Sequence, residues 1–334
     1  MSVRVAVIGA GVMGADHTRI LAESVPGAKL QLICDQNEDA ARRVADCCGA
    51  ADAITDGMAA VRRDDVDAVI IASPDPTHVP LSKLCIDLRK PVLCEKPLSQ
   101  SSAECIEVME AEMAAGRRWV QVGFMRRYDQ PYQQMRDAIT AAALGRILMM
   151  HNFHRNVATP YAAFTGAMAI TNSAPHEFDI VRHVLGSEFT RISAWQPRRT
   201  DDVVAPVVMV LETDDDQLVT VEVNNNAAYG YDVRAELIGE SGSMSMAPPV
   251  HTRLDRDFAS SSRYHPDWRA PYEDAYRRQN TAFIRFAAGG DFPATAASCW
   301  DGYCAARIAE AGVEALAAGV AVDIDMVDQP GFYG

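Results

Sequence analysis

The sequence predicts an α/β protein: a doubly wound parallel sheet in the first half and a strand-dominated second half. Three observations carry this. Short apolar runs alternate with single helical stretches as far as Val122. A glycine-rich turn lies directly between the first run and the first helix. Beyond Gly123 the period changes: Val219, Val221 and Val223 alternate with Thr220 and Glu222, as in a half-solvated antiparallel strand.

Val3 to Ile8 is apolar apart from Arg4, as a buried parallel strand should be. Gly9 to Gly14 follows, then a helix to about Glu23. Leu30 to Cys34 is the second strand, and Asp39 to Cys48 a helix ended by Gly49. A polar turn, Arg62 to Asp67, leads to a strand at Ala68 to Ala72. Val79 to Leu88 is helical, Pro91 to Cys94 a strand, Ser101 to Ala115 a helix closed by Gly116, and Trp119 to Val122 a strand. In the second half, Arg146 to Phe153 is strand-like, and Pro175 to Leu185 is a helix with proline in its first turn and Gly186 after its end. Strands follow at Arg191–Trp195, Val207–Glu212, Leu218–Asn225, Asp232–Ile238 and Gly242–Met246, with Asp214 to Asp216 as a solvated hairpin turn. Helices at about Tyr272–Ala288 and Ser298–Ala318 close the chain.

The 334 residues imply two domains at about 150 residues each, and either can bury a core without staples. The division is placed at 1–122 and 123–334. A hydrophobic fraction of 49% and a charged fraction of 23% exclude a disordered tail, a coiled coil or a collagen-like fibre. With 31 Lys and Arg against 45 Asp and Glu, the net charge is -14 and no Lys/Arg run exceeds a pair. Nucleic acid and anionic membrane surfaces are therefore poor partners. The eight cysteines form no CxxC and no zinc-ligand spacing, so buried reduced thiols and no metal are expected. No apolar run approaches the roughly 18 residues of a membrane span, and the amino-terminal apolar stretch reads as a strand entering a turn, not a secretion signal. The expected location is cytoplasmic.

Gly9, Gly11 and Gly14 form GxGxxG between strand and helix. The first glycine permits a tight turn, the second lets backbone approach a pyrophosphate, and the third lets helix and strand pack closely. The helix start, at Val12 and Met13, offers free N–H groups and a positive dipole to phosphate. Asp35 ends the next strand, where a carboxylate binds adenosine ribose hydroxyls and repels a 2′-phosphate. These features predict NAD, with NADP disfavoured. Arg42 and Arg43 lie too far along the next helix to reverse this preference, though they can soften it. Lys96, in Glu95-Lys96-Pro97, ends another strand of the same sheet, at the edge where ligands sit. Pro97 can fix its direction, including through a cis bond; the plainer reading is a surface lysine paired with Glu95.

Gly9–Gly14, Ser73-Pro74-Asp75-Pro76-Thr77-His78 and Glu95-Lys96-Pro97 together resemble the Gfo/Idh/MocA oxidoreductase family. Phe153-His154-Arg155-Asn156, His176-Glu177-Phe178-Asp179, Tyr229-Gly230-Tyr231-Asp232 and Trp300-Asp301-Gly302-Tyr303 are similar to its inositol dehydrogenase branch. The resemblance implies a Rossmann NAD-binding domain at 1–122. It also implies a substrate-binding and oligomerisation domain at 123–334, with a large open, mainly antiparallel sheet. Hydride would pass from a ring hydroxyl carbon to nicotinamide. Lys96 would contact the reacting hydroxyl and the nicotinamide ribose, with Ser73, His78 and Glu95 completing the cofactor-binding set. His176 would be the general base, and His154, Asn156, Tyr229 or Tyr231, and Arg126 or Arg127 would line a polyol pocket. A homotetramer is also implied.

Histidine suits the base role because it titrates near neutrality. Ile180 breaks HExxH, so His176 is not read as a zinc ligand, and His183 along the same helix is read as structural. The branch carries aspartate four residues before the histidine, whereas Asn172 stands there in this chain. Asparagine can orient an imidazole but cannot stabilise its protonated form by charge. Either the base works with a lower pKa or the substrate differs, with scyllo-inositol or an aldose as alternatives. Two other classes compete: an NAD-using glycosidase and a non-catalytic cofactor sensor. The segment Arg256–Pro271, containing Trp268, is read as a loop able to reach an active site.

Overall fold

The computed structural model describes residues 2–198, 203–247 and 253–334. It contains two compact units. Met1–Tyr128, Asp274–Ala306 and Val327–Gly334 make the first, and Asp129–Glu273 with Arg307–Met326 makes the second. Relative to the division expected at 122/123, the crossover comes after Tyr128 and the chain returns twice to the first unit. Local bonds explain the return. Val122 N–H donates to Ala297 O at 2.9 Å, Arg127 pairs with Asp301 at 2.7 Å, and Tyr303 Oη accepts the Val327 N–H at 2.9 Å. Such long-range closure leaves no periodic trace in the sequence.

The first unit is built on β1 (Val3–Ile8), β2 (Ala28–Cys34), β3 (Asp52–Ile54), β4 (Ala68–Ile71), β5 (Val92–Cys94) and β6 (Val120–Val122). The sheet order is β3-β2-β1-β4-β5-β6 and every pairing is parallel. This is the expected doubly wound arrangement. The runs Val5 to Val7 and Ala68 to Ile71 are buried throughout, because helices cover both faces of a parallel sheet. The helices are α1 (Val12–Ser24), α2 (Glu38–Cys48), α3 (Gly57–Arg62), α4 (His78–Asp87) and α5 (Ser102–Ala115). Asn37 and Ser101 cap α2 and α5 with their side-chain oxygens, and Gly49 and Gly116 end them in the left-handed conformation. The sequence reading missed β3 and α3, which are too short to show a period.

The second unit contains α6 (Gln130–Thr140), β7 (Ile147–Arg155), α7 (Gly166–Met168), α8 (Pro175–Leu185), β8 (Phe189–Trp195), β9 (Val207–Thr213), β10 (Leu218–Asn224), β11 (Asp232–Gly239) and β12 (Gly242–Ser245). A hairpin, β13 (Arg253–Arg256) and β14 (Ala259–Ser262), precedes α9 (Arg269–Ala287) and α10 (Cys299–Ala318), and β15 (Val322–Asp323) follows. The large sheet runs β12-β11-β7-β10-β9-β8-β15. It is antiparallel except where β10 lies parallel to β7. Met150, Asn152 and His154 of β7 are buried, while Met149, His151, Phe153 and Arg155 on its other face are not. The buried face packs with Phe178, Val181 and Leu185 of α8 and with Ile308 and Ala315 of α10. Helix α6 and the hairpin were not anticipated. The segment read as a loop at Arg256–Pro271 begins in this hairpin and ends inside α9.

Glu112 of α5 is fully buried. Its carboxyl accepts the Trp119 and Val120 N–H groups at 2.5 and 2.7 Å and the Tyr333 hydroxyl at 2.7 Å. Burial raises its pKa, against the lowering effect of these bonds. A carboxyl whose pKa rises on folding opposes folding once it ionises. The wild type should therefore lose thermal stability as pH climbs above the ordinary carboxylate range. Glu112→Gln keeps the shape and should flatten the dependence of Tm on pH between about 5 and 8, as differential scanning fluorimetry would show.

Candidate active site

The glycine loop divides into two glycines required by the protein and one that is not. A Cβ on Gly9 would lie 2.4 Å from Ala72 O, and Gly9 has φ +104°. A Cβ on Gly14 would lie 1.8 Å from Gly9 O. Nothing lies within 4 Å of a Cβ on Gly11, so internal packing does not demand glycine there. The open space beside it lets a ligand approach the backbone closely. Gly11 is also the N-cap of α1, with no side-chain cap, and no acidic residue sits in the first turn. The N–H groups around Val12 and Met13 are thus left for an anion. Asp35 accepts the Ala10 N–H at 2.7 Å with one oxygen and the Asn37 N–H at 2.8 Å with the other. This fixes the carboxylate against the loop while leaving lone pairs for ribose hydroxyls. These residues fit an NAD dinucleotide.

The Glu95-Lys96-Pro97 turn leaves β5 with a cis Lys96–Pro97 bond. Glu95 is buried; it takes His17 Nε2 at 2.9 Å and the Lys96 N–H at 3.1 Å. Gly123 permits this, since a Cβ there would stand 2.9 Å from the Glu95 carboxyl carbon. His17 Nδ1 lies 3.1 Å from Asn280 Oδ1. Glu95 therefore braces the turn, and Lys96 is left half-buried at the sheet edge. His78, expected among the cofactor ligands, is buried with both ring nitrogens on main-chain carbonyls, Pro97 O at 2.7 Å and Ser73 O at 2.9 Å. The Ser73 hydroxyl meets Thr77 Oγ1 at 2.6 Å. His17 and Asn280 were missed because each stands alone in an ordinary helix.

In the second unit, Asn172 lies in a π-helical turn, Ala169–Ser173, that runs into α8. Such turns often mark functional positions. His176 is in the first turn of α8, half-buried, with its ring 6.1 Å from that of His154. His154 Nδ1 meets Glu177 Oε2 at 2.9 Å, and the Asn156 amide lies 3.2 Å from His154 Nε2. A neutral imidazole protonated at Nδ1 satisfies both. Glu177 was passed over in the sequence reading, although a carboxylate in a helix turn this apolar needed a partner.

Other expected residues lie on other elements. Arg126 is buried in a 3-10 turn, Met125–Tyr128, of the first unit, and Arg127 pairs with Asp301. The Tyr229 hydroxyl donates to Asp232 at 2.7 Å and accepts from Arg155 at 3.0 Å. Arg155 follows His154 on β7 and points to the opposite sheet face, so Tyr229 joins an ion-pair network there with Glu222 and Arg234. Tyr231 is buried, with its N–H on His265 O and its ring edge-on to Tyr272. His183 meets Arg136 at 3.1 Å.

A glycine loop open to an anion, a carboxylate fixed against it and a strand-end lysine on a doubly wound sheet fit an NAD-dependent oxidoreductase. The comparisons agree. The family model of the Gfo/Idh/MocA oxidoreductases with an NAD-binding Rossmann fold matches residues 3–124, and that of their C-terminal domain matches 132–245. Inositol 2-dehydrogenase 1 of Saccharopolyspora erythraea is 42% identical over 341 residues, covering 100% of both chains. An inositol 2-dehydrogenase/D-chiro-inositol 3-dehydrogenase of Shouchella clausii is 36% identical over 100% of this chain and 97% of its own. The crystal structure of myo-inositol dehydrogenase from Lactobacillus casei with NAD(H) and myo-inositol superposes with a TM-score of 0.94, at 28% identity and full coverage of both chains. The chain belongs to the Gfo/Idh/MocA oxidoreductase family.

Gly11→Leu tests the loop: Tm should stay unchanged while NAD affinity falls by about tenfold or more, measured by calorimetry. With wild type, kcat/KM for NAD should exceed that for NADP by on the order of tenfold; an NADP preference would overturn the role of Asp35.

Proposed function

We propose that the protein oxidises a ring hydroxyl of an inositol to the ketone with NAD. The observation that carries this reading is the polar cluster of His176, His154, Glu177 and Asn156, which offers a base and several hydrogen-bonding groups to a neutral polyol. Support comes from relatives of matching length whose names specify inositol. Oxidation of CH–OH takes a proton from oxygen and a hydride from carbon. NAD, when bound by Gly9, Gly11, Val12, Met13, Gly14, Asp35 and Ser73, supplies the hydride acceptor. His176 takes the hydroxyl proton. Lys96 hydrogen-bonds the same oxygen and stabilises the negative charge growing on it. His154 and Asn156 hold neighbouring hydroxyls, with Glu177 fixing the His154 ring; Arg126 and Tyr231 complete the pocket set. Asn172, four residues before His176, orients the imidazole without a charge to stabilise its protonated form. We further propose a cytosolic homotetramer, with size-exclusion chromatography and light scattering as the check.

NADH formation at 340 nm with inositol isomers and aldoses is the direct test. Turnover with an inositol supports the reading, turnover with aldoses alone replaces the substrate, and no turnover with any polyol refutes it. His176→Ala should lower kcat by about 10²- to 10⁴-fold, with NAD affinity held within about threefold by the intact glycine loop. Asn172→Asp should raise the histidine pKa, moving the acid limb of the kcat profile to higher pH. An unmoved profile would remove Asn172 from the acid–base group.

A further inference from the structure

We infer that His78 is a positioning residue, held at neutral pH as an imidazolium that locks the Lys96 turn to the Ser73 loop. Ser73 follows β4, Pro97 follows β5, and His78 begins α4. The ring spans the two loops, with Nδ1 2.7 Å from Pro97 O and Nε2 2.9 Å from Ser73 O. A carbonyl oxygen only accepts. A neutral imidazole would set one bare nitrogen lone pair against a carbonyl lone pair in a buried place. Carrying a hydrogen on both nitrogens removes that conflict and makes two charge-assisted bonds. The titratable group beside the ring is Cys94 of β5, whose thiol is directed at Glu95 O at 3.4 Å. Burial disfavours the charged ring, yet the neighbouring Cys94 sulfur and the Pro97 and Ser73 carbonyls favour it and hold its pKa above the ordinary histidine value. The folded value lies above the ordinary histidine value, so the clamp is complete below that value and loosens as pH rises through the folded one.

The inference rests in part on the proposed role of Lys96, and the test separates the two. Histidine-selective ¹⁵N labelling of the NAD-bound protein, with long-range ¹H–¹⁵N correlation, should show a ring protonated on both nitrogens from pH 7.5 to 9. Nuclear Overhauser contacts to Pro97 and Ser73 identify the ring without mutation, should His78→Gln fail to fold. A bare nitrogen on that ring at pH 7.5 overturns the imidazolium. His78→Gln should lower kcat by about 10- to 100-fold, as small misplacements of a reacting group do, with the KM for NAD changed by less than about threefold if the glycine loop is intact. In the Lys96→Ala background the same substitution should add almost nothing. Additive losses, or a His78→Gln enzyme with wild-type kcat, overturn the positioning role. If Lys96→Ala itself turns over normally, the proposed role of Lys96 fails and positioning falls with it, while the spectra still judge the imidazolium.

Discussion

Main-chain crowding at the carboxyl edge of the parallel sheet is the constraint on which the first unit depends. The Gly9 α-carbon stands against the Ala72 carbonyl and Gly14 against Gly9, so β1, β4 and α1 approach as closely as backbones can. That approach sets the direction of α1 and leaves its amino end open. It also brings the loop after β4 to the turn after β5, which His78 bridges. Glu95 and His17 brace the same turn from another side. Lys96 is thus placed by neighbours whose own polar groups are turned inward.

The second unit relies on alternation. Along β7, His154 faces the helices and meets Glu177, while Arg155 faces outward and meets Glu222. Consecutive residues therefore serve different ends. The inner side gathers groups suited to hydroxyls. On the outer side the guanidinium groups of Arg155 and Arg234 both lie over Phe153, 4.9 and 5.2 Å from its ring centre. A slip of one residue in register would exchange the two sets.

Much of this was legible in the sequence because strands and helices announce themselves by period. Pro175–Leu185 ends where proline and Gly186 place it. The tight turn at Gly9 and Gly14 was legible because strand and helix must pack closely there. Other features were not. His78 looked like a ligand because it stands in a motif, whereas its two carbonyl partners are backbone atoms without a sequence signature. Tyr229 looked like pocket lining, but its hydroxyl is held by Arg155 and Asp232. His17 and Asn280 are far apart in sequence, and only folding joins them.

The discontinuity of the first unit bears on how the chain is made. Its parallel sheet is complete at Val122, yet Ala297, Asp301 and Tyr333, which bond to the same unit, are synthesised only after Asp129–Glu273 of the second. A nascent chain emerging from the ribosome would hold Glu112 without its tyrosine and the β6 edge without its bridge while Asp129–Glu273 of the second unit is translated. The nucleotide-binding unit is thus begun before the second unit and closed only after most of it.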